Sequence, residues 1–202
     1  MTTARYVAFE GVDGAGKTSV ARAVAAALRD LGHEVVEVRE PGGTPAGEAI
    51  RRILLERGGA VAPWTEALLF AAGRAQLAAE VIGPALAAGK AVVSDRSVYS
   101  SLAYQGGARG LGIDLVRAVN EAGLQGVWPG LVVLLRVDPE TGLRREDEAD
   151  RISVEGIGLQ ERVAAAYDLL AAAEPDRVVA VDAAPGFDDV VAAALDQVVR
   201  RW

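Results

Sequence analysis

The chain has 202 residues, 51% of them hydrophobic, and a formal net charge of −7, which suits a single folded domain and excludes a disordered chain. The negative charge argues against a nucleic-acid backbone as the main partner. The absence of cysteine excludes disulfides, thiolate metal sites and a cysteine nucleophile, and the single histidine, His33, is expected in a surface turn rather than a Ser-His-Asp triad. Residues 1–6 lack an apolar signal core, and no apolar run reaches the length of a membrane span, so we expect a cytoplasmic protein without a membrane partner.

Apolar strands alternate with helical stretches along the chain. Strands are predicted at 6–9, 34–39, 91–96, 131–137 and 178–182. Helices are predicted at 17–31, 46–56, 65–88, 113–122, 159–173 and 187–202, with a helical turn at 97–104, a tight loop at 105–107 and a further helix beginning at 138–140. The 65–88 helix is apolar on nearly every side, so we expect it to be buried. The alternation predicts one α/β domain over 1–202, with a five-stranded parallel sheet in a three-layer α/β/α arrangement.

Residues 11–18 match the phosphate-binding pattern G-x-x-x-x-G-K-[ST], between the first predicted strand and the first helix. The glycines let backbone N–H groups turn toward phosphate oxygens, and the helix N-terminus adds partial positive charge. Lys17 can reach the outer phosphates, and Thr18 can place its hydroxyl on Mg²⁺. A Gly-rich turn that matches by chance is the alternative, but the strand and helix on either side argue against it. The loop predicts a P-loop NTPase fold that binds a nucleoside triphosphate.

A second group of candidate residues lies at strand ends and on the long helix. Arg39 opens a Pro- and Gly-rich loop at the carboxyl end of a strand, where α/β sheets bind ligands. Phe70 and Arg74 share a helix face, and Arg74 either forms an internal ion pair or contacts a ligand beside the Phe70 ring. Asp95 and Arg96 close the third strand, where the Mg²⁺-linked carboxylate of phosphate-loop proteins lies. Asp138 closes the fourth strand in the same way, so this feature alone is ambiguous.

The arginines indicate the kind of acceptor. Arg39, Arg74 and Arg96 could converge on one pocket, which favours an anionic acceptor. A phosphate monoester is already ionised near neutrality, since its second pKa is about 6, so no general base is required. Catalysis then reduces to positioning and charge neutralisation. The charged run at 144–151 is either a solvated surface or a mobile lid whose arginines close over the triphosphate.

Several stretches, taken together in this order, resemble bacterial thymidylate kinase. They are Phe9-Glu10-Gly11, Arg-Glu-Pro-Gly-Gly-Thr at 39–44, Leu-Phe-Ala-Ala-Gly-Arg-Ala-Gln at 69–76, Asp95-Arg96, Ala-Tyr-Gln-Gly at 103–106, the stretch 129–138, and Asp-Arg-Ile at 150–152. The resemblance covers nearly the whole chain. It implies a P-loop kinase that phosphorylates dTMP to dTDP with Mg²⁺ and ATP, usually as a homodimer.

The resemblance also implies roles for individual residues. The ATP-binding set is Gly11, Val12, Asp13, Gly14, Ala15, Gly16, Lys17, Thr18 and Ser19. On the dTMP side, Phe70 stacks on thymine, Arg74 bonds a thymine carbonyl, and Ser101 and Gln105 face the base edge. Tyr104 lies against the deoxyribose. Asp13 contacts the sugar 3′-hydroxyl, with Glu10 close by. Arg96 holds the acceptor phosphate, which Arg39 and Pro41 flank, and Asp95 acts with Thr18 in the Mg²⁺ shell.

The transition-state charge is expected from a lid at about 144–155. Some family members carry an extra arginine in the phosphate loop, where this chain has Gly14, so the comparison assigns that charge to Arg144, Arg145 or Arg151 without choosing among them. The chain departs from the family pattern at Gly73, commonly an aspartate, at Ser97 and at Tyr99. Two alternatives stay open: a deoxynucleoside kinase, with Glu40 or Glu10 as the base, and a non-catalytic nucleotide-binding homologue.

Overall fold

The structure, a computed structural model, describes residues 5–56, 59–145 and 151–202. Within these ranges five strands form one parallel sheet in the order β2-β3-β1-β4-β5. The strands are Tyr6–Glu10 (β1), Val35–Arg39 (β2), Ala91–Asp95 (β3), Leu131–Arg136 (β4) and Val178–Asp182 (β5). The predicted five-stranded parallel sheet is confirmed. β2 and β3 lie on one side of β1 and β4 and β5 on the other, so the strand order reverses at β1. The segment that follows β1 therefore lies where α/β sheets bind ligands.

Helices connect the strands. They are Lys17–Asp30 (α1), Pro45–Leu55 (α2), Pro63–Leu77 (α3), Gly83–Ala87 (α4), Val98–Ser101 (α5), Ile113–Leu124 (α6), Pro139–Arg145 (α7), Ile157–Ala173 (α8) and Phe187–Val199 (α9). Two π-helical segments, Ala78–Ile82 and Leu102–Ala108, and a 3₁₀ turn at Ser153–Glu155 complete the description. None of the helices in the described ranges is both long enough and apolar enough to span a membrane.

The central strand β1 is buried along its whole length, and its alternate side chains enter different clusters. Phe9 packs in the cluster that contains Leu28 of α1, whereas Tyr6 packs with Leu77 of α3. Because successive side chains of a strand point to opposite faces, helices must cover both faces of the sheet. This arrangement gives the predicted three layers and explains why the strands read as continuous apolar runs rather than alternating ones.

The segment predicted as one long buried helix at 65–88 differs from that prediction. It begins at Pro63, which suits the first helical position, and it consists of α3, a π-helical segment and the short α4. Trp64 and Leu68 are 40% and 54% exposed, so the expectation that every side is buried is wrong. An apolar composition therefore did not distinguish core positions from surface ones on this helix.

The tight loop predicted at 105–107 is also wrong. α5 continues directly into the π-helical segment Leu102–Ala108, which contains both glycines of that stretch. A Cβ at Gly107 would lie 2.4 Å from the Cβ of Ala166 on α8, closer than real Cβ contacts. The Gly-Gly pair thus allows this segment to pack closely against α8 rather than making a turn.

Candidate active site

The phosphate-binding loop connects β1 to the N-terminus of α1, as predicted. Gly16 is the residue before α1 and has a left-handed backbone with φ 84°. Gly14 has φ 70°, and a Cβ added there would come 1.8 Å from the carbonyl oxygen of Gly142 on α7. Only glycine fits at Gly14, because side chains are disfavoured at this φ and the backbone of α7 fills the space. The loop presents the N-terminus of α1 to any bound anion.

Lys17 is the first residue of α1 and is almost fully buried. Its Nζ donates a hydrogen bond of 2.6 Å to the carbonyl oxygen of Val12, within the loop. Burial, helped by the nearby positive charge of Arg96, lowers the pKa of Lys17 to about 8. The ammonium is thus held inside the loop with few partners, which suits a group that completes its coordination on an anion.

The loop opens into a cavity of about 660 Å³ at the carboxyl edge of the sheet. Most of the predicted site residues line it: Asp13, Gly14, Gly16, Lys17, Thr18, Ser19, Arg39, Pro41, Phe70, Asp95, Arg96, Ser101, Tyr104, Gln105 and Arg145. The others lie behind its wall or away from it: Glu10, Gly11, Val12, Ala15, Arg74, Arg144 and Arg151. The phosphate loop and the residues expected to hold the acceptor thus face one shared space.

Asp95, the last residue of β3, meets the first turn of α1. The hydroxyl of Thr18 donates to Oδ2 of Asp95 at 2.5 Å. A hydroxyl and a carboxylate at the mouth of a phosphate loop are the oxygen donors that Mg²⁺ takes alongside water and phosphate, so this pair fits that ion. The described residues include no cluster of three or more His, Cys, Asp or Glu that could hold a metal by themselves.

Asp13 is the centre of a polar network on the cavity wall. Its carboxylate accepts hydrogen bonds from Arg96, from the hydroxyl of Tyr104 at 3.0 Å and from Nε2 of Gln160 at 2.6 Å. Burial alone would raise the pKa of Asp13, but the positive charges of Arg96 and Lys17 more than offset it and lower the pKa. Asp13 is therefore a fixed anion, and Arg96 is held above the Tyr104 ring, 5.3 Å from its centre.

Glu10 is fully buried behind the cavity and does not line it. Its carboxylate accepts hydrogen bonds from the backbone N–H and hydroxyl groups of Ser97 and Ser100 and from the hydroxyl of Tyr167. Glu10 is bonded to Ser100, which does line the cavity, and its closeness to the sugar stays a prediction. Glu10 fixes the turn that follows Arg96, which has a left-handed backbone with φ 69°.

Of the two alternatives for Arg74, the structure shows the internal ion pair. Nε donates to Oε2 of Glu40 at 2.6 Å, Nη1 to Oδ1 of Asn120 at 2.6 Å and Nη2 to the carbonyl oxygen of Ser97 at 3.2 Å. Arg74 is 2% exposed and does not line the cavity, and the thymine contact expected of it stays a prediction. Burial raises the pKa of Glu40 to about 7, although Arg74 opposes the shift.

Part of the cavity lining consists of Phe70, Ser101, Tyr104 and Gln105. Phe70 is partly buried and packs against the hydrophobic cluster that contains Phe9 and Leu28. The hydroxyl of Ser101 is buried and has no hydrogen-bond partner among the described residues. An unpaired buried hydroxyl is costly, so this atom is suited to a polar ligand group that enters the cavity.

The three candidate lid arginines have different surroundings. Arg145 lines the cavity and donates to the carbonyl oxygen of Ala183 at 3.0 Å. Arg144 is exposed and pairs with Glu140 on its own helix. Arg151 is bound to Glu66 and is not among the residues that line the cavity. Residues 146–150 of the predicted lid lie outside the described residues.

Comparison with known proteins identifies the family. A family model for thymidylate kinase matches residues 9–194 of this chain. The chain belongs to the thymidylate kinase family. It is 43% identical over 207 residues to thymidylate kinase of Halalkalibacterium halodurans, covering 100% of this chain and 99% of that one. It is 45% identical over 186 residues to thymidylate kinase of Limosilactobacillus fermentum, covering 89% and 87%.

A solved thymidylate kinase structure agrees with the fold. The crystal structure of thymidylate kinase from Ehrlichia chaffeensis superposes with a TM-score of 0.80 at 26% identity, covering 96% of this chain and 97% of that chain. The predicted P-loop fold and the predicted family are thus confirmed. The predicted class of activity is confirmed with them, since thymidylate kinases phosphorylate dTMP to dTDP.

Within this thymidylate kinase site, sequence reasoning missed several polar residues. Gln160 bonds both the backbone N–H and the carboxylate of Asp13, and Tyr167 bonds Glu10. Arg51 also lines the cavity. Gln160 and Tyr167 lie on α8 within an apolar pattern, and no short motif marks them. The one signal for Gln160 is a glutamine within this apolar pattern. That its position is fully buried is known only from the structure.

Proposed function

We propose that this chain transfers the γ-phosphoryl group of ATP to the phosphate of dTMP, giving dTDP and ADP, with Mg²⁺. One observation carries the proposal: the phosphate loop and a wall containing Arg39, Arg96 and Phe70 open into the same cavity. The loop suits a triphosphate, the arginines suit a second phosphate, and the ring suits a flat base. A thymidylate kinase needs these three elements together.

Catalysis is proposed to rest on placement and charge. The dTMP phosphate is an ionised nucleophile near neutral pH, so no residue has to remove a proton. Lys17 binds the transferred phosphate, Arg96 orients the acceptor, and Arg145 adds positive charge from the α7 side of the cavity. Arg145 is our choice among the three candidate arginines because Arg144 and Arg151 lie away from the cavity lining.

On the nucleoside side, Phe70 is proposed as the platform for thymine, with Ser101 and Gln105 at the base edge and Tyr104 against the deoxyribose. Arg74 lies behind this wall and supports it through its bond to the carbonyl oxygen of Ser97. Asp13 orients Tyr104 and Arg96, and it is proposed to meet the sugar hydroxyl from the same position.

Mg²⁺ is proposed to be held by Thr18 and Asp95 together with the phosphates of ATP. When bound, it neutralises phosphate charge. In this proposal Asp95 contributes its carboxylate and Thr18 its hydroxyl, and the hydrogen bond between them keeps both donors at the loop mouth until the ion is present.

We further propose that residues 1–202 act as one kinase domain with a lid at about 144–155, and that the protein works in the cytoplasm as a homodimer. Exposed leucines on two helices that pack together, Leu68 on α3 and Leu115 on α6, supply apolar surface for such an association. Light scattering coupled to gel filtration tests the dimer, since a mass near 21 kDa would contradict it.

The experiment that tests the function is a coupled assay of ADP release with Mg-ATP and separate acceptors: dTMP, dUMP, dCMP, AMP, GMP and thymidine. We expect strong preference for dTMP. Turnover of thymidine in place of dTMP would indicate a deoxynucleoside kinase. ATP and dTMP binding without turnover would indicate the non-catalytic homologue.

A further inference from the structure

Glu66, in the first turn of α3, is a fully buried carboxylate that connects two parts of the molecule. It accepts hydrogen bonds from Nε2 of Gln105 at 2.8 Å, from Nε and Nη2 of Arg109 at 2.5 and 3.0 Å, and from Nη2 of Arg151 at 2.5 Å. Burial alone would raise the pKa of Glu66, but hydrogen bonds from Arg109, Arg151 and Gln105 lower it. Glu66 is therefore an ionised group at neutral pH with three side-chain donors.

One end of this cluster is the nucleoside wall of the cavity. Gln105 lines the cavity and lies next to Tyr104 in the π-helical segment. Its side-chain amide is 2% exposed, and its Nε2 is committed to Glu66. Any ligand that fixes the Gln105 amide therefore also fixes one of the donors on which the Glu66 carboxylate depends.

The other end is the segment 151–155, at the end of the proposed lid. Nε of Arg151 donates to the carbonyl oxygen of Leu54 at 2.6 Å, and the backbone N–H of Arg151 donates to Leu55 at 3.3 Å. Arg109, the second arginine on Glu66, also donates to both carboxylate oxygens of Glu155, at 2.6 and 3.0 Å. The segment is thus docked onto α2 and the π-helical segment through charges that converge on Glu66.

We propose that Glu66 is a positioning residue that couples occupancy of the nucleoside wall, through Gln105, to the docking of segment 151–155, through Arg109 and Arg151. The inference rests on the proposed function, because dTMP is the ligand that would meet Gln105. When dTMP restricts the motion of the Gln105 side chain, it also restricts the Glu66 carboxylate. The restricted carboxylate then holds Arg109 and Arg151 more firmly. Segment 151–155 then opens less often when dTMP is bound.

The test is amide hydrogen exchange of residues 151–156, with and without saturating dTMP, in the wild type and in Glu66→Gln. In the wild type we expect dTMP to slow this exchange by about tenfold, within the usual range of coupling between two sites. Glu66→Gln keeps the shape but loses the charge that both arginines share, so the slowing should disappear. Slowing retained in Glu66→Gln would overturn the proposal and leave Glu66 as a structural ion pair.

A matched control is Glu174→Gln. Glu174 also accepts from several side chains, Tyr99, Arg117 and Arg177, but it does not line the cavity, and these donors are not those of Glu66. This variant tests the general effect of losing a multiply bonded carboxylate. It should keep the dTMP-dependent slowing at 151–156, and loss of that slowing here would also count against a specific role for Glu66.

Gln105→Leu decides the question if Glu66→Gln does not fold. It leaves Glu66 with both arginines and cuts only the link to the cavity, so segment 151–155 should stay docked but should no longer respond to saturating dTMP. A normal response would overturn the proposal. Turnover and dTMP binding by the wild type are measured in parallel. Absence of dTMP turnover overturns the proposed function, whereas an active wild type with unchanged exchange overturns only the coupling.

Discussion

The hydroxyl of Thr18 donates a 2.5 Å hydrogen bond to Oδ2 of Asp95, joining the phosphate loop to the end of β3. The two oxygens would share Mg²⁺ in the proposed function. Asp95→Asn keeps the size but removes the negative charge, so it should raise the Mg²⁺ concentration needed for half-maximal turnover by about tenfold or more. Titration of turnover with Mg²⁺ at fixed ATP measures this. An unchanged Mg²⁺ requirement would place the ion elsewhere.

Lys17 should be essential for turnover and costly for stability. Burial lowers the pKa of Lys17 to about 8, so the folded state binds this proton more weakly than the unfolded chain does. The charged side chain therefore lowers the free energy of unfolding at pH 7. Lys17→Met should reduce turnover at least about 100-fold and raise the free energy of unfolding of the ligand-free protein by about 1 kcal/mol.

The chain provides its own control for this variant. Lys90 is the only other lysine, and it is half-exposed and pairs with Glu34. Lys90→Met should leave turnover unchanged. Urea unfolding and the ADP-release assay measure both variants. Near-normal turnover in Lys17→Met would contradict the reading of the phosphate loop.

Substitution of Phe70 should weaken dTMP binding more than ATP binding, because its ring lines the cavity and is the proposed platform for thymine. Phe70→Ala should raise the Michaelis constant for dTMP by about fivefold or more, since a stacking contact is worth at least about 1 kcal/mol. Leu68→Ala is the control, because Leu68 lies two residues away on α3 and is 54% exposed. Equal effects on both substrates would make Phe70 a core residue only.

Gly73 should tolerate a larger side chain. A Cβ at Gly73 would lie 3.7 Å from the nearest atoms of Ile50, an ordinary contact, within α3. Gly73→Ala should therefore raise the free energy of unfolding by up to about 1 kcal/mol. Gly123→Ala, in α6, should lower it, because its Cβ would lie 2.8 Å from the Cβ of Ala75. Denaturant unfolding of the two variants tests the opposite signs.

Glu40 should make stability depend on pH. Burial raises its pKa from 4.5 to about 7, so the folded state holds this proton more tightly than the unfolded chain. Its contribution to the free energy of unfolding is full below about pH 4.5 and is lost as the pH rises through about 7. The difference in unfolding free energy, wild type minus Glu40→Gln, should fall by about 2 kcal/mol between pH 5 and 8. A difference that does not change with pH would contradict this, and exposed Glu34→Gln serves as the control.

The local features of this fold could be predicted from the sequence, while the long-range ones could not. The loop between β1 and α1 follows from glycine positions and apolar patterning within about a dozen residues. The partner of Arg74 did not follow, because Glu40 lies 34 residues away and nothing local marks the pair. The Gly-Gly pair at 106–107 resembles a turn locally, and only its contact with Ala166 shows that it serves helix packing.

The same division applies to the site. Residues in motifs, such as Lys17, Asp95 and Tyr104, were predicted, and they line the cavity. Arg74 was predicted to have either an ion pair or a ligand contact. The ion pair with Glu40 is present, and the ligand contact stays a prediction. Glu66 and Gln160 were not predicted, because each acts through side chains distant in sequence, and their buried state depends on the assembled fold.

The contact between Gly14 and Gly142 restricts how this enzyme could change. An arginine at position 14 would place its Cβ 1.8 Å from a backbone oxygen of α7, so the charge cannot enter the phosphate loop at this position while α7 keeps its path. The main-chain path of α7 would have to shift first. Suppose that Arg145 supplies that charge and that an inhibitor binds Arg145. An arginine at position 14 could not then replace Arg145, so resistance would have to arise through other parts of the chain.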